Sequence, residues 1–150
     1  MKRRAILLGV AVVGTVTVIG LARPSGYVTA SVPRFESMAT ELAANGVVLS
    51  ALAPGETMKS ALPASVDPRV AVDAAVAAYG KVAQPVVFEG RLTMGDQEPP
   101  IDQTPVYAIQ LTGLSLAPFG GPASNENLHH ELVVFVDARD GKVLLAITVR

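Results

Sequence analysis

The sequence predicts an α+β domain: a helix packed on a three- to four-stranded antiparallel meander sheet, preceded by an N-terminal hydrophobic helix. Three observations predict it. An uncharged run from Ala5 to Ala22 follows Lys2, Arg3 and Arg4. A capped, alanine-rich stretch from Asp67 to Tyr79 places its apolar residues at helical spacing. From Pro85 the apolar period changes from 3.6 to 2, and turn-forming segments divide the remainder into strands.

The first element has the signature of export, positive charge followed by an apolar stretch. Positive charge stays on the cytoplasmic side, so the rest of the chain is carried across the membrane. The run is 18 residues long, about 27 Å as a helix. That exceeds the usual apolar core of a signal peptide and falls slightly short of a full span. Two fates stay open. Gly20-Leu21-Ala22 and Val28-Thr29-Ala30 both present small residues for cleavage, and an uncut segment is a membrane anchor. Residues 1–22 are therefore a signal peptide or N-terminal anchor, 23–33 a linker and 34–150 a single domain. The protein is expected to be extracytoplasmic, secreted or anchored to the cytoplasmic membrane.

The chain has 150 residues, which allows one ordinary domain and excludes a barrel of eight βα units or a two-domain enzyme. It has no cysteine, which excludes disulfides, thiolate zinc sites and a cysteine nucleophile. Beyond position 22 lie nine basic and thirteen acidic residues, a formal charge of −4. The formal charge of the whole chain is −1, which argues against nucleic acid as a partner. Without disulfides, the exported part must be held by packing alone.

The elements follow in order. Phe35, Met38 and Leu42 fall on one helical face, and Gly46 stops a helix running from about Arg34 to Asn45. Val47 to Leu52 is a strand candidate, and Ala53-Pro54-Gly55-Glu56 a turn. Asp67 caps the second helix, Pro68 is tolerated at its first position, and Gly80 ends it. Val72, Val76 and Tyr79 form its apolar stripe, with alanines for close approach to a sheet. In the next strand Val86, Phe88, Leu92 and Met94 point one way, and Val87, Glu89, Arg91 and Thr93 the other. Gly95 to Pro105 reads as a long polar turn. Val106 to Leu114 alternates again, with Tyr107, Ile109 and Leu111 set against Ala108, Gln110 and Thr112. Residues 117–127 form a Gly/Pro/Asn loop. His130 to Asp137 and Lys142 to Val149 are the last strands, joined tightly through Asp140-Gly141.

The stretch from Val133 to Leu144, VVFVDARDGKVL, resembles the closing hairpin of PepSY-type domains, and with the capped helix before it the likeness covers about residues 67–150. The resemblance implies a PepSY/cystatin-like fold in an exported or cell-envelope protein. It also implies protein binding or peptidase inhibition, and it brings no catalytic residues. Separately, Asp137 and Asp140 are placed to accept backbone N–H bonds in the turn, Gly141 to take a positive φ, and Lys142 to sit at the solvent edge.

Candidate chemistry is sparse. Glu126, His129, His130 and Glu131 are residue types that suit a divalent metal. In a strand His129 and Glu131 share a face while His130 turns away, so His129 and Glu131 are the metal candidates. Ser115 in Gly113-Leu114-Ser115-Leu116-Ala117 loosely echoes a nucleophile elbow, but no strand-to-helix turn is expected there. Phe119, Gly120 and Gly121 form a candidate binding loop, an aromatic in a Gly/Pro segment between two strands. No catalytic set and no cofactor are expected. The function expected is a non-enzymatic binding or regulatory module whose partner is an envelope protein or peptidase, with the membrane engaged through residues 5–22 if they are uncleaved. The alternatives are a small metal-binding protein or metal-dependent enzyme centred on His129 and Glu131, and a structural envelope protein without a specific ligand.

Overall fold

A computed structural model describes residues 26–116 and 129–149. The apolar segment 5–22 and the 117–127 loop lie outside the described residues, among which no helix is long and apolar enough to cross a membrane. The element order is β1 (Val28–Thr29), α1 (Val32–Ala44), β2 (Val48–Ala51), α2 (Met58–Ala61), α3 (Pro68–Tyr79), β3 (Val86–Met94), β4 (Ile101–Leu116), β5 (His129–Asp137) and β6 (Val143–Val149).

The expected α+β class holds, and β3 to β6 form the antiparallel meander. The expected strand count does not hold. The sheet has six strands and is mixed, because two short strands share the outer edge of β3. Val28 and Thr29 of β1 run parallel to Val86 and Val87. Farther along, β2 runs antiparallel, with Val48 opposite Thr93 and Ala51 opposite Gly90. Val28–Thr29 lies in the stretch read as a linker, and the 3.6- and 2-residue periods could not find it, because two residues carry no period.

The expected single covering helix is also corrected, since helices lie on both faces. On one face Met38 and Leu42 of α1 join Phe88, Leu92, Val106, Ala108 and Phe135 in a buried cluster. On the other, Ala71, Val72 and Ala75 of α3 join Val87, Tyr107, Ile109 and Val134. The strands are therefore apolar on both sides, as strands buried on two faces must be. Phe35 of α1 lies over β3, its ring centroid 6.2 Å from that of Phe88.

Local chemistry sets the helix ends. Asp67 accepts a hydrogen bond from the Arg69 amide at 2.8 Å, Pro68 opens α3, and Gly80 closes it at φ 118°. The single turn α2 shows no period long enough to read. A capping box makes it: the Ser60 amide donates to Thr57 Oγ1 at 3.2 Å, and the Thr57 amide donates to Ser60 Oγ at 2.9 Å. Glu89, reaching across from β3, accepts from the Met58 amide at 2.6 Å. The polar turn expected over 95–105 is shorter, because β4 already begins at Ile101.

Candidate functional site

Two places in the fold collect polar side chains. The first is the base of the β4–β5 connection, on the α1 face of the sheet. Gln110 on β4 is buried at 6% exposure although the strand pattern sets it on the polar side. The reason is α1: Arg34 Nη2 donates to Gln110 Oε1 at 2.9 Å. Gln110 Nε2 in turn donates to the Glu131 carboxylate on β5. This chain joins α1, β4 and β5, so both ends of the amide are satisfied inside the layer, as a buried amide requires. Just beyond, the ladder slips. Thr112 faces Glu131, but the next pair is Leu116 with His129, so β4 carries two extra residues there. Gly113 absorbs the distortion at φ 80°. A bulge of this kind bends a strand and redirects the chain beyond it.

The second is the β5–β6 hairpin at the opposite end of the sheet. Asp137, 5% exposed, accepts from the Arg139 amide at 2.8 Å and from the Arg139 guanidinium, with Nη2–Oδ2 at 2.6 Å. Burial pushes its carboxyl up, but the hydrogen bonds and charge of Arg139 outweigh that and hold it below the usual carboxylate range. Asp140 accepts from the Lys142 amide at 3.0 Å, and Gly141 turns at φ 74°. Lys142 is exposed and pairs with Asp140 at 3.1 Å. The hairpin also holds its neighbours: the Ala138 amide donates to the Pro105 carbonyl, and the Val66 amide to the Ala138 carbonyl. Tyr107, buried on the α3 face, donates its hydroxyl to the Val66 carbonyl at 2.8 Å. Burial pushes that phenol up.

Of the metal candidates, Glu131 is half-buried and engaged by Gln110. His129 opens β5 opposite Leu116, two residues from Glu131 along the strand. Among the described residues no group of three or more His, Asp or Glu is placed to hold a metal ion. The side chains of Ser115, His129 and His130 lie outside the described residues, as do Glu126 and the loop candidates Phe119, Gly120 and Gly121. The fold does assign Leu116 and His129, the two strand ends that bracket the loop, to one paired position in the sheet.

Sequence reasoning missed Arg34, Gln110, Glu89 and Tyr107 as polar partners. Glu89 and Gln110 gave a faint signal, each a polar residue flanked by apolar stretches of its strand. Their partners are 31 and 76 residues away in the chain, on helices whose placement no local pattern encodes. In comparisons with protein families, curated proteins and solved structures, the chain matches none.

Proposed function

We propose that this chain is an exported or membrane-anchored, non-enzymatic binding module of the cell envelope, PepSY-like over about residues 67–150, whose partner is an envelope protein or peptidase. Its binding element is the β4–β5 connection, with Phe119 as the anchor and Gly120 and Gly121 beside it. The observation that supports this reading is the braced base of that connection. Leu116 and His129 are paired, and the Arg34–Gln110–Glu131 chain ties the strands beneath them to α1. A loop mounted on a rigid base binds with little further ordering of the scaffold. The inward-facing acids Glu89 and Asp137 cap a helix turn and a hairpin, which suits a scaffold role.

The test is affinity capture from envelope extracts with the full-length chain, alongside the Phe119→Ala variant and a deletion strain. The reading expects a partner retained by the parent chain and lost with Phe119→Ala, and an altered envelope peptidase activity in the deletion strain. Capture that is equal for both chains, or no partner and unchanged peptidase activity, would overturn it.

A further inference from the structure

The two edges of the sheet differ. One is occupied by short pieces, the two residues of β1 and the four of β2. The other is β6, and among the described residues no strand pairs with its outer side. Sheet edges are ordinarily blunted by charge, proline or brevity. β6 has none of these devices: its seven residues, VLLAITV, include no charged residue and no proline. One irregularity lies near its start, where Phe135 faces Leu145 but Val136 faces Val143, leaving Leu144 outside the register. From Leu145 to Val149 the ladder is regular. Leu145, Ile147 and Val149 lie on the α1 side, and the smaller Ala146 on the α3 side.

An occupant of this edge must be an extended, uncharged segment of about five residues with a free edge of its own. It must also place large apolar side chains on one face and small ones on the other. Among the described strands of this chain, β6 itself meets every condition. Both edges of β5 and β4 are used, and β1 and β2 are too short. We propose that β6 pairs antiparallel with β6 of a second copy, giving a two-fold dimer with one continuous sheet.

The irregularity selects the register. An axis through Ala146 would set the out-of-register Leu144 opposite Thr148 of the second copy. An axis through Ile147 keeps the contact within the regular stretch from Leu145 to Val149. It pairs Leu145 with Val149 and Ala146 with Thr148, so that residues of one face meet on that face. Ile147 then faces its own counterpart, with Cβ atoms about 5 Å apart. A five-residue strand contact is small, so the dimer is weak, with a Kd of the order of tens of micromolar.

The chain contains no cysteine, which makes single-cysteine probes unambiguous. Full-length Ile147→Cys is expected to give a covalent dimer with a short bis-thiol reagent, and Thr29→Cys, exposed on the opposite edge, is not. Mixing Ala146→Cys with Thr148→Cys tests the register by a heterologous cross-link. Sedimentation of the parent chain up to about 100 µM is expected to show a monomer–dimer equilibrium. Thr148→Lys puts a charge at an exposed edge position, so it should weaken that equilibrium about tenfold or more while leaving the melting curve in place. A chain that stays monomeric and gives no Ile147→Cys product overturns the proposal. So does a dimer indifferent to Thr148→Lys, or a β6 edge protected from labelling only when envelope extract is added.

Discussion

Gly90 is the residue whose replacement tests the account of this fold most directly. It sits in β3 at the point where β2 closes on it, with Ala51 opposite on one side and Val106 on the other. A Cβ built there would lie 2.6 Å from the Ser50 carbonyl oxygen, 3.1 Å from Leu49 Cδ1 and 3.4 Å from Phe35 Cζ. An ordinary carbon–oxygen contact is about 3.3 Å, so β2 must retreat by about 0.7 Å. That stretches an inter-strand N–H···O distance from about 2.9 Å to about 3.6 Å, beyond a hydrogen bond. Weakening two such bonds costs about 1–3 kcal/mol, and forcing Leu49 and Phe35 off their packing adds about 1–2 kcal/mol. The lower unfolded-state entropy of alanine returns about 0.5–1 kcal/mol. Gly90→Ala should therefore destabilise by about 1–4.5 kcal/mol and lower the Tm by roughly 3–15 °C. The assay is thermal and urea unfolding followed by circular dichroism. Gly95→Ala is the control, because nothing lies within 4 Å of a Cβ there, and it should be neutral to within about 0.5 kcal/mol. If the two variants melt together, the close approach of β2 to β3 is wrong, and with it the placement of α1 over that edge.

The other predictions concern the two layers and the hairpin. Leu42 is fully buried under α1, so Leu42→Ala should cost about 2–5 kcal/mol in urea unfolding. Tyr107→Phe leaves the Val66 carbonyl without its donor, which should cost about 1–3 kcal/mol and raise amide exchange at Val66. Asp137 has its folded pKa held below the unfolded value. Its contribution is therefore complete above the unfolded pKa of about 3.9 and is lost as pH falls through the folded one. The stability gap between the parent chain and Asp137→Asn should be constant near neutral pH and shrink only in acid. A gap that grows as pH falls would reverse that sign.

Sequence by itself determined the pieces whose cause is local. The α3 caps Asp67 and Gly80, the change of period at Pro85, and the Asp137–Lys142 turn were all legible, because a capped helix end, a pleat and a tight turn are each made by neighbours in the chain. The sequence also carried the contrast between a basic, apolar N-terminal segment and an acidic remainder. Tertiary structure alone decided that the sheet has six strands and helices on both faces. It decided that Gln110 is buried rather than solvated, and that Glu89 serves a helix turn 31 residues away. It also made Gly90, one of the residues on the α1 side of β3, the contact point of β2. In each case the partner is brought by long-range packing, and alternation tells only that a side chain has two faces to choose from. What waits on either face is set by how α1 and α3 close over the sheet, which no window of neighbouring residues records.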